Sequence, residues 1–209
     1  MKKLSIGTVT ILLVLLSGLI QISAQETETL LKPGSDIKFI WGTEFKTSSI
    51  KSDLGTSHGF FGGALFDRSI LLGISLGTNL THQKLNHGYF GLLIQYTHKP
   101  NDLIHLSGQL LLATASAKGY EQKKTNLFDN LGNITGTSFY IIEPGLNVEL
   151  NLTEYTRLIF GISYRYVTGL GELSFEQWDS NRNYSTQYTY NDNDLRSLQF
   201  NIGLKFGEF

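Results

Sequence analysis

The stretch closest to a reactive pattern is His105-Leu106-Ser107. A serine hydroxyl turns nucleophilic when a base takes its proton and a carboxylate orients that base. On an extended chain, His105 and Ser107 share one face, and Glu143 can approach His105 from the following strand. A His and a Ser two residues apart also arise by chance, so no catalytic residue is assigned. The second candidate set is charged: Lys38, Glu44, Glu143, Glu149, Arg157, Arg165 and Lys205. Each sits in an alternating stretch, on the side opposite the apolar residues. Charges enclosed on one face are costly unless paired, so these residues are expected to form a structural ion-pair network. Glu149 falls near Arg157 across a turn, and Glu143 falls opposite or diagonal to Arg165, within reach of long side chains. His58, His82, His87 and His98 are scattered without metal-ligand spacing, so no metal and no cofactor is expected. Trp178, Tyr184, Tyr188 and Tyr190 cluster in an Asn-rich segment. Aromatic, Asn-rich loops suit adaptable contacts, which makes these residues possible loop contacts, and loop aromatics equally fold back over the mouth that they border.

The elements that carry these residues show period-two alternation, the signature of strands. It is clearest over residues 137–169. There Tyr140, Ile142, Pro144, Leu146, Val148 and Leu150 take one face, with Glu143, Asn147 and Glu149 on the other. After a polar turn at 151–154, Leu158, Phe160, Ile162, Tyr164 and Tyr166 oppose Arg157, Gly161, Ser163 and Arg165. Similar patterns predict strands over 35–46, 58–66, 69–79, 88–98, 103–117 and 194–206. The facing of 58–66 stays open, because Phe60, Phe61, Leu65 and Phe66 occupy both parities. Asp67-Arg68 and Lys99-Pro100-Asn101-Asp102 read as tight turns. Residues 47–56, 118–136 and 170–193 read as loops.

Eight strands are thus expected, with the odd-numbered connections long and the even-numbered ones short. The apolar faces are about ten residues long, enough to cross a bilayer obliquely. An up-and-down barrel with short turns at one rim and longer loops at the other accommodates this pattern. A soluble barrel would point its apolar residues inward and its charges outward; here the strand-centre charges share a face with Gly, Ser, Asn and Gln. The expected fold is therefore all-β, an eight-stranded antiparallel up-and-down transmembrane β-barrel. Small residues on its inner face suit a narrow lumen.

The amino terminus adds an address. Lys2 and Lys3 precede an apolar run from Leu4 to Ile20, and Ile22-Ser23-Ala24 forms a small-residue cleavage site. Residues 1–24 are read as a cleaved signal peptide, 25–34 as a short periplasmic lead and 35–209 as the barrel. A mean hydropathy of −0.07 looks soluble, yet barrels give this value because lumen residues dilute lipid-facing ones. With 17 basic and 18 acidic residues there is no basic stripe for nucleic acid. Cysteine is absent, which excludes disulfides and thiolate metal sites.

Phe139-Tyr140-Ile141-Ile142-Glu143-Pro144-Gly145, Glu149-Leu150-Asn151-Leu152-Thr153, Ser163-Tyr164-Arg165-Tyr166-Val167 and Leu204-Lys205-Phe206-Gly207-Glu208-Phe209 resemble small outer-membrane β-barrel proteins of Bacteroidetes-type bacteria. That resemblance implies an outer-membrane location, outer-membrane lipid as surroundings, and barrel-assembly machinery as a partner in biogenesis. The terminal aromatic is similar to the carboxy-terminal signal that such machinery reads. Phe209, however, has the opposite parity from Phe206, Leu204 and Ile202, so a bulge or an exit from the strand is expected there. The expected role is structural, or binding of an extracellular ligand or protein through loops 118–136 and 170–193, by a monomer without catalysis. His105 with Ser107 is similar to the arrangement in outer-membrane lipid A deacylases, which leaves a lipid A-modifying hydrolase as one alternative and a narrow solute channel as another. A lipid-cleaving site should open toward outer-leaflet lipid, whereas this pair faces inward beside a turn.

Overall fold

The computed structural model describes residues 36–51, 53–80, 85–119, 137–179 and 184–209. The leader and lead, His82 and the segment 120–136 lie outside them. Eight strands close into one antiparallel barrel: β1 (Ile37–Ile50), β2 (Asp53–Phe66), β3 (Ile70–Asn79), β4 (Leu85–His98), β5 (Ile104–Gly119), β6 (Thr137–Thr153), β7 (Thr156–Thr168) and β10 (Ser197–Gly207). Each strand pairs with its sequence neighbours, and β10 pairs with both β7 and β1 to complete the circle. Between β7 and β10 the chain forms a separate hairpin of β8 (Glu172–Asp179) and β9 (Tyr184–Asn191), followed by a single helical turn, α1 (Asp192–Leu195).

The turns follow from local chemistry. Ser69 N–H donates to Phe66 O (3.0 Å) around Asp67 and Arg68, both at positive φ, as a two-residue hairpin turn demands. Pro100 lies inside the Lys99–Asp102 turn, closed by Asp102 N–H to Lys99 O at 3.0 Å, where its fixed φ is already suited. These turns and the β6–β7 turn at Glu154–Tyr155 lie at one rim, together with the start of β1 and the end of β10; this is the turn rim. The opposite rim carries the other connections and is called the loop rim.

Two expectations about connections need correction. Residues 47–56 are not a loop: β1 runs to Ile50, β2 starts at Asp53, and Lys51 takes the positive φ of 47° between them. Thr47, Ser48 and Ser49 are polar enough to read as loop but pair with Thr56, Gly55 and Leu54, because β-branched and small polar residues fit a solvated strand as well as a turn. The third connection is also short, residues 80–84. The length alternation therefore rests on the fifth and seventh connections, and residues 170–193 contain an ordered hairpin and helical turn.

The two faces are those of a membrane barrel. Outward positions are apolar and exposed: Phe39 (71%), Trp41, Phe90, Leu92, Leu146, Phe160, Ile162, Phe200 and Ile202 among them. Inward charges are enclosed, with Arg157 at 1%, Glu149 at 0% and Lys205 at 2% exposure. Phe60 faces out and Phe61 in (7%), which settles the facing of β2. Its outward row is Phe60, Gly62 and Ala64, and its inward row is Phe61, Gly63 and Leu65. Inward Gly63 and Gly73 are partners on β2 and β3, so close that a Cβ on either would collide with the other strand's backbone. Placing a cation on the lipid face, as in Ile162→Arg, is expected to destabilise the barrel by about 2–4 kcal/mol. Denaturant refolding into lipid vesicles measures this.

Candidate functional site

Among the described residues, two polar clusters lie within the lumen. The first, toward the turn rim, is built on Glu149 of β6. Its carboxylate accepts from Lys205 Nζ on β10 (2.8 and 3.0 Å), from Ser107 Oγ on β5 (2.7 Å) and from Gln95 Nε2 on β4. His105 Nε2 lies 3.4 Å from Glu149 Oε2, and Arg157 Nη1 lies 3.7 Å from the same oxygen. One carboxylate therefore gathers donors from β4, β5, β7 and β10. The pairing follows from strand geometry, because His105 is the Cα partner of Glu149, Ser107 lies two residues further along, and all of them point inward.

The second cluster sits further toward the loop rim. Lys46 Nζ bridges Glu44 Oε1 (2.9 Å) and Glu143 Oε1 (2.6 Å), crossing the lumen from β1 to β6. Ser163 Oγ donates to the same Glu143 oxygen at 2.9 Å. Gln199, with its amide nitrogen toward Glu143 (3.0 and 3.2 Å), presents its oxygen to Arg165 Nη1 at 3.2 Å; this orientation is assigned from the hydrogen-bond network. Arg165 Nε donates to Leu195 O (2.9 Å), and Nη1 lies 3.4 Å from His87 Nε2. Between the clusters, Asn147 Nδ2 donates to Gln109 Oε1 (2.9 Å) and Asn201 Nδ2 to Asn147 Oδ1 (3.1 Å). That amide bridge spans β7 at Gly161, where a Cβ would collide with Asn147.

Of the seven charged residues singled out by pattern, Glu44, Glu143, Glu149, Arg157, Arg165 and Lys205 fall in these clusters. Lys38 does not. It lies at the start of β1, where the lumen opens, and its Nζ pairs with Glu208 (2.9 Å) and Asp36 (3.6 Å) in a partly exposed setting. Glu143 meets Lys46 rather than Arg165 directly, because the lysine reaches across the barrel while the arginine turns to backbone oxygen. Lys46, Gln95, Asn147, Ser163 and Gln199 are members that the charge pattern did not single out. Their inward parity was readable, but which of them meet across the lumen depends on barrel stagger.

His105 and Ser107 are brought together, but not as a nucleophile and its base. Ser107 Oγ donates a hydrogen bond to Glu149, His105 Nδ1 lies 3.0 Å from Asp102 O, and both side chains are buried in the lumen. Phe209 leaves the strand after Gly207, whose φ of +144° suits glycine. Its ring lies 3.9 Å beneath the Arg157 guanidinium, inside the turn rim, while Phe206 keeps the outward row and stacks on Trp41 at 4.6 Å. The parity break is thus an exit from the strand. The Glu208 carboxyl, hydrogen-bonded by the Lys38 ammonium, is held below the usual carboxylate range.

The loop rim closes differently. Leu173, Phe175, Tyr188 and Tyr190 form one face of the β8–β9 hairpin and join the apolar cluster that includes inward-facing Ile50, Leu85, Phe139 and Val167. Phe175 and Tyr190 stack at 5.9 Å, and Lys51 Nζ sits 5.2 Å over the Tyr190 ring and donates to Thr189 O (2.5 Å). Asn191 and Asp194 cap α1 reciprocally, and Asp192 accepts from Leu170 N–H at 2.9 Å. Of the possible loop contacts, Tyr188 and Tyr190 turn inward with Leu173 and Phe175, because alternation puts these four on the face that has apolar surface to cover. The backbones of Trp178 and Tyr184 lie at the hairpin tip; their side chains are outside the described residues.

No family model matches the chain, and no curated protein matches it. Solved structures do. Neisserial surface protein A aligns with a TM-score of 0.53 at 12% identity, over 85% of this chain and 100% of that one. The N-terminal β-barrel domain of OprF from Pseudomonas aeruginosa aligns at 0.46 and 12%, over 80% and 96%; Ail, the attachment invasion locus protein of Yersinia pestis, aligns at 0.42 and 9%, over 82% and 97%. The first of these alignments and the lipid-facing exterior agree on one architecture. The chain is an outer-membrane β-barrel.

In this outer-membrane barrel, removing Glu149 would strand Lys205 and Arg157 in the lumen. Glu149→Ala is expected to cost about 3–5 kcal/mol, the range for breaking one partner of a buried pair, and adding Lys205→Met should recover part of that loss; equilibrium unfolding in micelles checks both. At the loop rim, burial pushes the Tyr190 phenol up from 10.0 to about 12. Docking favours the neutral phenol, so its contribution is complete below pH 10 and lost as pH rises from 10 to about 12. Protease sensitivity of the hairpin should rise across that window, and Tyr190→Phe should remove this part of the pH dependence.

Proposed function

We propose that this outer-membrane barrel is a non-catalytic monomer, sealed by its own side chains, that binds a partner outside the cell through its loop rim. The observation that carries this reading is the β8–β9 hairpin. One of its faces is spent on docking, and the other presents Glu172, Ser174, Glu176 and Gln187, all exposed. Strands of 14–17 residues in β1, β2, β4, β5 and β6 exceed the 9–11 needed to cross hydrocarbon, so part of the wall extends past the bilayer to carry that face. A polar, acidic display favours a basic or hydrogen-bonding partner over an apolar one. The turn rim, with short turns and both ends of the barrel, would face the periplasm, the usual orientation of such barrels. A Bacteroidetes-type origin and recognition by barrel-assembly machinery belong to the same proposal.

Two other readings have less support. A deacylase would need Ser107 activated by His105 and open to lipid, whereas Ser107 is enclosed and hydrogen-bonded to Glu149. A channel would need a water path, whereas the ion pairs cross the lumen and both rims hold aromatic closures.

The test compares the intact barrel with one in which residues 172–191 are replaced by a short Gly-Ser linker, both folded in detergent. Surface cross-linking is expected to capture a partner with the intact barrel alone. Equal capture by both would remove the loop-rim reading. A large steady single-channel conductance would favour the channel, and a deacylated lipid A product that disappears in Ser107→Ala would favour the hydrolase.

A further inference from the structure

The outer wall carries a depression of about 390 Å³ within the apolar belt of β1, β2 and β3. Phe39, Phe60, Gly62, Gly73, Ile74 and Leu76 are among its lining. It exists because Gly62 faces outward without a side chain, between its cross-strand partners Trp41 and Ile74. Behind it, the close approach of Gly63 and Gly73 locks the two strands together. The volume falls at the low end of sites that take small ligands.

Beyond the groove, past Phe60, the outward row of β2 turns polar. His58 follows Phe60 in the same outward row, stacked on Phe45 at 4.4 Å and edge-on to Phe60 at 4.5 Å. Its Nε2 lies 2.6 Å from Thr43 Oγ1, and that hydroxyl donates to Gly59 O at 3.1 Å. With the hydroxyl proton so committed, Nε2 is the donor, and Nδ1 is left to meet whatever lies beside it. The outward residues of β1 show at what depth this happens. Ile37, Phe39, Trp41 and Phe45 are apolar and exposed, and Thr47 and Ser49 replace them beyond. Phe45 is the Cα partner of His58, so the imidazole marks the loop-side edge of the belt, where head groups lie. Four strand steps separate it from Gly62, about 13 Å at the usual rise.

The geometry points to a site for one bilayer lipid, with an acyl chain laid into the groove at Gly62 and its polar head beside His58. The groove is continuous with the lipid-facing surface and opens onto hydrocarbon, so its occupant comes from the bilayer, and His58 stands toward the loop rim where a lipid's polar end would lie. The inference rests on the membrane placement and is independent of what the loop rim binds.

Protein extracted from outer membranes in a mild detergent, examined by native mass spectrometry, tests it. Wild type is expected to keep one lipid through delipidation. Gly62→Leu should fold and lose that lipid, because a Cβ there meets nothing nearer than Ile40 O at 3.4 Å and the larger side chain fills the groove. His58→Phe, which keeps the ring stack, should release the lipid more readily. In a Trp178→Phe background, phospholipid brominated along its acyl chain should quench Trp41 less in Gly62→Leu than in wild type. A wild type that retains no lipid, a folded Gly62→Leu that retains as much, or a Gly62-dependent dimer in place of the lipid each overturns the proposal. If Gly62→Leu fails to fold, unchanged retention in His58→Phe overturns it, and weakened retention supports it.

Discussion

Hydrocarbon offers no partner to an amide N–H or a carbonyl, so every strand that crosses it must be flanked on both edges. That demand closes the sheet and brings β10 back to β1, over nine consecutive Cα pairs from Ile40–Gly207 to Ser48–Gln199. Closure with eight strands then fixes a bore so narrow that inward side chains touch across it. The ion pairs are a consequence of that bore. Lys46 can reach Glu143 because strands far apart in sequence stand only a side chain's length apart in space.

Within the bore the lining is uneven. Phe61, Leu65, Leu71, Leu93 and Leu111 bring apolar bulk from β2 to β5, while Glu143, Glu149, Arg157, Arg165, Gln199 and Lys205 concentrate on β6, β7 and β10. The charged groups therefore face one another and a greasy wall, a low-dielectric setting that strengthens fixed pairs. Both mouths repeat the same economy of material: an aromatic ring under a guanidinium at one rim, and an aromatic hairpin over a lysine at the other.

Much of this was readable from alternation. Leu158 to Tyr166 and Leu198 to Phe206 declare their lipid face with no structure needed, because period two has one interpretation when charges interleave. The Gly-rich segment around Phe60 and Phe61 did not, since two aromatics in a row satisfy either facing until the partners on β1 choose. Thr47 to Ser49 read as loop because strands beyond the bilayer no longer need an apolar face. In the lumen, parity named the enclosed side chains but not their partners. Those depend on strand stagger around a closed barrel, which no local pattern records, so parity alone does not show that Lys46 and Gln199 meet Glu143 or that Lys38 stands at the open end.

The turn at Gly207 divides the last residues between two environments: Phe206 stays with the lipid-facing row, and Phe209 is tucked under Arg157. Phe209 is therefore a stopper seated in the turn rim, while Phe206 three residues earlier still belongs to the wall. A bulky group attached directly at Phe209 would have to share the space beneath Arg157 or drag the ring out of the rim.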